Sequence, residues 1–327
     1  MFAAYVEKPN FDSPLSALIV GEHPELRVPE GWVRVKMSAA SLNWHDIWTL
    51  RGMGAAAGRP EIFPMILGCD GIGTLDDGTR VAIYPIIGNT DWRDDETLDP
   101  ERNVFTEQFH GSFADYMVVP RRNAVPLPQS LASVPAAVLG AAWLTAYRMM
   151  FTRVRLRPGQ TVLVQGASGG VATALIQLGR AAGLRVWATG RSEEKRALAE
   201  SLGAHRTFAS NESLPEKVDA VFEPVGAATW KHSIHSVRPG GTVVICGVTT
   251  GDQPGAELAS ITFDQITVTG VFAGTRSEFR DLITFVDEYG LKPQVGRVLP
   301  ITEAAEGMRM MWEGNVPGKI VFSFASS

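Results

Sequence analysis

Gly166-Ala167-Ser168-Gly169-Gly170-Val171-Ala172 is the stretch that decides the fold of this chain. It has the spacing Gly-x-x-Gly-x-x-Ala and stands between an apolar run, Thr161–Gln165, and an amphipathic pattern over about residues 170–182. Residues without bulky side chains let the backbone approach a pyrophosphate, whose charge is stabilised by free N–H groups at the start of a helix. A strand, a glycine loop and a helix in this order predict a dinucleotide-binding site. Its expected contacts are Gly166, Ser168, Gly169, Gly170 and Val171.

The sequence after Thr161 alternates between continuous apolar runs and helical patterns. Buried runs of this kind, joined by helices, are typical of a parallel sheet covered on both faces. Residues 157–164 resemble residues 238–245, which indicates two related halves. The alternative is that any strand preceded by a Pro-Gly turn shows a similar sequence. We therefore expect an α/β fold with a doubly wound parallel sheet. The predicted strands are Thr161–Gln165, Arg185–Thr189, Val218–Phe222, Thr242–Cys246 and Ile266–Val271.

The part before about residue 123 has a different character, with short β segments separated by Gly and Pro. Residues 33–37, 79–83 and 114–119 alternate apolar and polar side chains, as half-buried strands do. Residues 88–110 are polar and aperiodic, so we expect a surface excursion there. The end of the chain is mixed, and residues 318–322 are predicted to form a closing strand.

Length and composition narrow the function class. At roughly 100–200 residues per domain, 327 residues suggest two domains. The net charge is −5 and the 30 Lys and Arg are scattered, which disfavours nucleic acid and membrane surfaces as partners. Two cysteines are too few for a disulfide framework or a four-cysteine zinc site. Residues 1–8 lack the basic and apolar pattern of a signal peptide, so we expect a cytoplasmic enzyme.

The residues after the second predicted strand indicate which nucleotide is bound. NAD-type sites usually place an acid there to accept from the ribose 2′-hydroxyl, but here the sequence is Ala188-Thr189-Gly190-Arg191-Ser192. The guanidinium of Arg191, the hydroxyl of Ser192 and the ammonium of Lys195 are suited to a 2′-phosphate. The pattern therefore favours NADP(H). The alternative is that Arg191 and Lys195 are solvated charges beside Glu193 and Glu194.

Motifs along essentially the whole chain carry a family resemblance. The chain resembles a medium-chain dehydrogenase/reductase, and most closely the zinc-independent quinone-oxidoreductase and enone-reductase branch. The resemblance implies a GroES-like catalytic domain over residues 1–125, completed by 274–327, and a Rossmann domain over 126–273. It also implies an active site in the cleft between these domains and a homodimer or homotetramer. The motifs that carry it are Ser38–Asp46, Leu67–Gly73, Gly111–Tyr116, Leu144–Tyr147, the glycine loop with Gln177, Leu202–Ala204 and Gly318–Val321.

The chain departs from the zinc-dependent branch at the positions of the metal ligands. The resemblance implies that members of that branch have a cysteine at the position of Asn43 and Gly-His-Glu at the positions of Gly68-Cys69-Asp70. They have a third ligand near the position of Ala141 or Ala142. A catalytic zinc needs three protein ligands, so we expect no metal. His45, Asp46, Cys69 and Asp70 can all ligate metals, and an improvised site is the alternative. Residues 88–110, where structural zinc cysteines would fall, contain no cysteine.

The resemblance also implies roles for individual residues. Asn43 is placed near the nicotinamide and the substrate, and Thr145 beside the nicotinamide ring. His45 falls where the zinc branch keeps a proton-relay hydroxyl, although a partly exposed loop histidine is an equal alternative. Tyr84 is a further candidate donor, and solvent is another proton source. The remaining expected cofactor contacts are Gly247, Val248, Phe272 and Lys319.

These expectations combine into one leading hypothesis and two alternatives. The leading hypothesis is an NADPH-dependent, metal-independent oxidoreductase that transfers hydride to a quinone or to an enone. Such acceptors are already polarised, whereas a simple alcohol or aldehyde benefits from a metal that holds the alkoxide. The first alternative is an alcohol or aldehyde dehydrogenase of the same superfamily. The second is a noncatalytic NADPH-binding sensor.

Overall fold

The structure, a computed structural model, describes residues 1–53, 62–314 and 316–325. The chain divides into two compact units: unit 1 contains Met1–Ala141 and Thr275–Ser327, and unit 2 contains Ala142–Gly274. The sequence analysis places one domain at residues 1–125 with 274–327 and the other at 126–273. These domain boundaries remain a prediction.

The strands are named here in chain order. They are β1 (Phe2–Val6), β2 (Leu18–Glu22), β3 (Trp32–Ser41), β4 (Met65–Ile66), β5 (Ile72–Leu75), β6 (Arg80–Ile83), β7 (Ile86–Ile87), β8 (Asn103–Val104), β9 (Tyr116–Pro120), β10 (Ala124–Pro126), β11 (Thr161–Val164), β12 (Arg185–Gly190), β13 (Arg206–Ala209), β14 (Val218–Glu223), β15 (Val237–Ile245), β16 (Thr267–Gly270), β17 (Val295–Pro300) and β18 (Lys319–Ser323).

The helices are likewise named in chain order. They are α1 (Trp44–Arg51), α2 (Ser133–Ala136), α3 (Leu144–Tyr147), α4 (Gly170–Ala181), α5 (Glu193–Ser201), α6 (Ala227–Ser236), α7 (Leu258–Phe263), α8 (Arg276–Glu288) and α9 (Ala304–Glu313). Wider π turns, Leu139–Trp143 and Arg148–Thr152, flank α3. Single 3-10 turns lie at Pro14–Ala17, Glu96–Leu98, Arg121–Asn123 and Ile301–Glu303.

The main sheet of unit 1 joins the two ends of the chain. Its order is β10-β6-β5-β3-β18-β17, with β9 also paired to β3. Strand β18 runs antiparallel to β3, so that Val321 lies opposite Ser41 and Phe322 opposite Ala40. The Phe322 ring is fully buried and packs edge-on against Phe113, with ring centroids 5.0 Å apart. The C-terminal strand is therefore an integral part of the unit 1 core.

The segment over residues 88–110 is more buried than a surface excursion would be. Its polar side chains are buried in part, because they replace water as partners of the turning backbone. The Asp99 carboxylate accepts hydrogen bonds from the backbone N–H groups of Asn89 at 2.6 Å and Glu101 at 2.8 Å. Because this stretch has no periodic pattern, the sequence did not indicate which of its polar residues are buried. They are Thr97, Asp99, Asn103, Thr106 and Glu107.

Unit 2 contains the predicted Rossmann sheet. Its order is β13-β12-β11-β14-β15-β16, and each neighbouring pair is parallel. The order reverses between β11 and β14, as in a doubly wound fold built from two halves. The predicted α/β class with a GroES-like unit and a Rossmann unit is confirmed. The sequence analysis missed β13, because its four residues are mostly exposed and carry no continuous apolar run.

No helix in the described ranges is both long and apolar enough to cross a membrane.

Candidate active site

The glycine loop joins β11 to α4 and leaves backbone N–H groups uncovered. Gly166 adopts φ +82°, a conformation that side chains disfavour, so the chain can turn sharply out of the strand. Gly169 is the residue before the helix and has no side chain to cap it, and the first turn carries no acidic residue. A Cβ added at Gly169 would meet nothing within 4 Å. The first helical N–H groups have no intrahelical acceptors, so the loop fits a bound anion.

This loop lies at the switch point of the parallel sheet. In doubly wound sheets, ligands bind outside the carboxyl ends of the strands where the strand order reverses. The loop follows β11, and its neighbour across the switch is β14. Gly247 follows β15 at the same edge, where a Cβ would collide with the carbonyl oxygen of Pro224. Val248 and Phe272, beyond β15 and β16, are both partly exposed there.

A buried polar network that the sequence analysis missed supports the glycine loop. The Thr189 hydroxyl accepts from the Gly166 N–H at 3.1 Å and donates to the Gln165 side-chain oxygen at 2.7 Å. The Gln165 amide donates in turn to the Ser233 hydroxyl at 3.0 Å, and Ser233 donates to Glu223 at 2.5 Å. These side chains fix the loop from behind. The only signal in the sequence was that Gln165 and Glu223 are polar residues at the ends of apolar runs.

The residues expected to recognise a 2′-phosphate follow β12. Ser192 caps α5, because its hydroxyl accepts from the Lys195 N–H at 3.4 Å. Arg191 is exposed, and among the described residues it has no ion pair with Glu193 or Glu194. Arg196 is turned back to the Gly190 carbonyl at 2.9 Å. The end of β12 thus presents a free guanidinium and carries no carboxylate.

The remaining expected cofactor contact in unit 2 is Thr145. It lies half-buried in α3, between the two π turns. Its role beside a nicotinamide ring stays a prediction.

A second candidate cluster lies in unit 1 around Asn43, at the junction of β3 and α1. The Asn43 amide nitrogen donates to the Ser41 carbonyl at 3.0 Å and to Asp70 Oδ1 at 3.2 Å. Its amide oxygen accepts from the Lys319 ammonium at 2.5 Å, and Lys319 also donates to the Leu42 carbonyl. Both polar ends of this side chain are therefore held by partners inside unit 1.

The cluster contains ionisable groups that are removed from water. Burial raises the pKa of Asp46 to about 7 and also raises the pKa of Asp70. Burial lowers the pKa of Lys319, while the negative charge of Asp70 opposes that shift. Burial, reinforced by the charges of Asp70 and Asp46, raises the pKa of the Cys69 thiol. Because its pKa is raised, this thiol stays protonated at neutral pH.

His45 is the second residue of α1, and its side chain, 14% exposed, lies beside the 88–110 segment. Its Nε2 atom is 3.9 Å from the buried carboxylate of Glu107 and has no hydrogen-bond partner among the described residues. Burial lowers the pKa of His45 to about 4, so the imidazole is neutral at neutral pH. His45 and Asn43 are two residues apart at the start of α1, and the structure brings them into one region of unit 1.

Tyr84 directly follows β6 in unit 1. It is buried, its ring packs near Phe279 with centroids 6.2 Å apart, and it lines a small depression with Glu96 and Arg276. Burial raises the pKa of its phenol, with a smaller contribution from the charge of Glu96. A catalytic role for Tyr84 stays a prediction.

Comparisons with known proteins agree with this geometry. Residues 29–129 match the family model described as "Alcohol dehydrogenase GroES-like domain", and residues 170–288 match "Zinc-binding dehydrogenase". The chain is 30% identical to a quinone oxidoreductase of Mus musculus over 291 residues, covering 84% of this chain and 83% of that protein. The chain belongs to the medium-chain dehydrogenase/reductase family.

Other members of the family have different named activities. The chain is 26% identical to an acryloyl-coenzyme A reductase of Metallosphaera sedula, covering 93% of this chain and 96% of that protein. A crystal structure titled NAD-dependent alcohol dehydrogenase superposes with a TM-score of 0.91 at 30% identity, covering 99% of this chain and all of that one. The medium-chain dehydrogenase/reductase described here is an oxidoreductase, as these relatives are.

The family name implies zinc, but the residues around Asn43 do not fit a catalytic zinc ion. Such a site uses three protein ligands of the His, Cys, Asp or Glu type. Within the described residues, no group of three or more such side chains could hold a metal. The Asn43 oxygen is bound to an ammonium, and the Asp70 oxygens accept from Ser41, Asn43 and the Ala141 N–H. The oxygen atoms of Asn43 and Asp70 that could bind a metal ion already accept hydrogen bonds from these groups.

A substitution at Gly169 tests whether the loop binds nucleotide. Because a Cβ there meets no protein atom, Gly169→Ala should change the free energy of unfolding by less than about 1 kcal/mol. A bound diphosphate would meet that methyl group, so nucleotide affinity measured by fluorescence titration should fall by at least roughly tenfold. Gly21→Ala in β2 is the matched control, since a Cβ there also meets nothing. Equal affinity in both variants contradicts the assignment.

The lowered pKa of His45 predicts how stability depends on pH. Between pH 6.5 and about 4 the unfolded histidine binds a proton that the folded one does not, so the contribution of His45 to the free energy of unfolding rises with pH in that window. A pKa difference of this size corresponds to about 3 kcal/mol in the free energy of unfolding. His45→Gln should flatten this part of a curve of urea midpoints against pH, with little change above pH 7. His110, whose pKa burial also lowers to about 4, should contribute a second, separate share. An unchanged slope in His45→Gln would contradict the burial of a neutral imidazole.

Proposed function

We propose that this oxidoreductase uses NADPH, without a metal ion, to reduce a quinone or an activated carbon–carbon double bond. The observation that carries the proposal is the cluster around Asn43, where an ammonium and two buried carboxyl groups stand in place of a zinc ligand set. Acceptors that are polarised by their own conjugation do not depend on a Lewis acid as a simple alcohol does. The named activities of the Mus musculus and Metallosphaera sedula relatives support this class of acceptor.

The chain's own residues account for cofactor binding. The N–H groups at Gly169 and Gly170 would hold the diphosphate, and Thr189 keeps Gly166 in place behind it. Arg191 would bind the 2′-phosphate, supported by Ser192 and Lys195. NADPH supplies the hydride when it is bound. These roles extend the sequence prediction for the glycine loop to the groups that position it.

The proton that follows the hydride comes from solvent in this proposal. His45 is neutral near pH 7, so it cannot serve as a proton reservoir there. A neutral imidazole can still relay a proton, by accepting at one ring nitrogen and releasing at the other. We assign His45 this relay role beside Glu107, with solvent as the source of the proton. Asn43 would act by shape and position, since its amide groups are engaged inside unit 1.

Two other functions are tested by the same experiment. The alcohol dehydrogenase title of the similar crystal structure supports carbonyl chemistry as a second candidate. A noncatalytic NADPH sensor would keep the glycine loop but turn over no acceptor. The purified protein, assayed for metal content, should oxidise NADPH with members of a panel of quinones and enones. Oxidation only with aldehydes, or loss of activity on chelation, supports the dehydrogenase. Tight NADPH binding without turnover of any acceptor supports the sensor.

The choice of NADPH over NADH rests on Arg191. Charged hydrogen bonds contribute roughly 1.5–3 kcal/mol each. Arg191→Ala combined with Lys195→Ala should therefore weaken NADPH binding by several kcal/mol at most, and leave NADH binding almost unchanged. Arg185→Ala is the matched control, because Arg185 is exposed at the opposite end of the same strand. Equal losses for the two nucleotides would refute the assignment.

Three further expectations remain predictions. The chain is proposed to be cytoplasmic, and its partners are small acceptors rather than nucleic acid or membranes. A homodimer or homotetramer is proposed by analogy with the family. Light scattering of the purified protein measures the oligomeric mass directly. A monomer at micromolar concentration would contradict the proposed homodimer or homotetramer.

A further inference from the structure

Lys319 is brought to the Asn43 cluster by sheet pairing across almost the whole chain. It is the first residue of β18, and the Leu42 N–H donates to the Ile320 carbonyl at 2.9 Å where β18 meets β3. Only 6% of Lys319 is exposed. A lysine ammonium is rarely buried so far unless it is paired. The partners of this ammonium therefore decide what it does.

The partners of Lys319 are the groups that a bound cation would have. Its ammonium donates to the Asn43 side-chain oxygen at 2.5 Å and to the Leu42 carbonyl oxygen. An ammonium donates and cannot accept, so the contact fixes the oxygen of Asn43 on the Lys319 side and its amide nitrogen on the Asp70 side. The orientation of this amide is thereby set by charge at both ends.

Asp70 has the hydrogen-bond pattern of an ionised carboxylate. It accepts from the Ser41 hydroxyl at 2.8 Å, the Asn43 amide at 3.2 Å and the Ala141 N–H at 3.1 Å. The Asn43 amide nitrogen and the Ala141 N–H can only donate, and they reach different oxygens of Asp70, as they would with an ionised carboxylate. Hydrogen bonds donated to a carboxylate favour its charged form. A buried negative charge of this kind needs a cation, and the Asn43 amide links it to one, because Asn43 accepts from the Lys319 ammonium and donates to Asp70.

We propose that Lys319 is a positioning residue whose ammonium is the resident cation of this cluster, in place of a metal ion, where it neutralises Asp70 and fixes the Asn43 amide. This differs from the role as a cofactor contact that the sequence suggests for Lys319. The connection from Lys319 through Asn43 to Asp70 is given by the described hydrogen bonds, and only its link to catalysis rests on the proposed function. The cluster thus has an internal cation that no chelator can remove.

A double-mutant cycle tests the charge pairing without any substrate. Lys319→Met and Asp70→Asn should each lower the urea midpoint, because each leaves one buried charge without its partner. The double variant removes both charges, so its loss should be clearly smaller than the sum of the two single losses. Lys292→Met combined with Asp70→Asn is the matched control, since Lys292 is exposed, and should be additive. Additive losses in the Lys319 and Asp70 pair would overturn the proposal.

Two further measurements separate a positioning role from a cofactor contact and from a merely structural one. NADPH affinity of folded Lys319→Met should stay within about threefold of the parent, whereas a lost charged contact to the cofactor would cost more than about tenfold. With an active acceptor, kcat should fall in Lys319→Met and in the double variant, with KM for NADPH nearly unchanged, and Lys319→Arg should recover part of it. A more than tenfold loss of NADPH affinity, or full kcat in the double variant, would overturn the assignment. If no acceptor is reduced, the proposed function fails while the cycle still decides the pairing.

Discussion

The antiparallel pairing of β18 with β3 is the constraint on which the arrangement of unit 1 depends. It places Phe322 against Phe113 in the core, and it brings Lys319 to residues 42 and 43, which are far away in sequence. Without that strand, the Asn43 oxygen would lose its donor, and the connection from Lys319 through Asn43 to Asp70 would be lost. A segment at the end of the chain thus completes both the core of unit 1 and the cluster around Asn43.

In unit 2 the candidate nucleotide site is formed by backbone N–H groups and is supported by buried polar side chains. The glycine loop offers N–H groups because no side chain caps α4, and the support comes from behind, through Thr189, Gln165 and Ser233. Such a network is favourable only when each member finds a partner, since an unpartnered buried polar group is costly. The two clusters share this feature. In each, buried hydrogen bonds hold the groups that a ligand would meet, so little reorganisation should accompany binding.

Much of this arrangement was accessible from the sequence, and the limits have physical reasons. The apolar runs and the glycine spacing predicted β11, α4 and the parallel sheet, because those signals are local and periodic. The four-residue β13 and the buried polar residues of 88–110 carry no such period. Asn43 and Asp70 were identified as positions of interest, but their connection to Lys319 depends on strand pairing between distant segments. No local pattern encodes that pairing, and the same is true of the support that Thr189 gives to Gly166.

The most direct test of the account follows the hydride itself. NADPH carrying deuterium at C4 of the nicotinamide, in each of its two stereochemical forms, is supplied with an enone that the metal-free protein reduces. The account predicts that one of the two forms delivers deuterium to the β-carbon of the saturated product, as mass spectrometry and NMR would detect. Deuterium on a carbinol carbon would show reduction of the carbonyl instead, and deuterium absent from the product with both forms would contradict hydride transfer from the nucleotide.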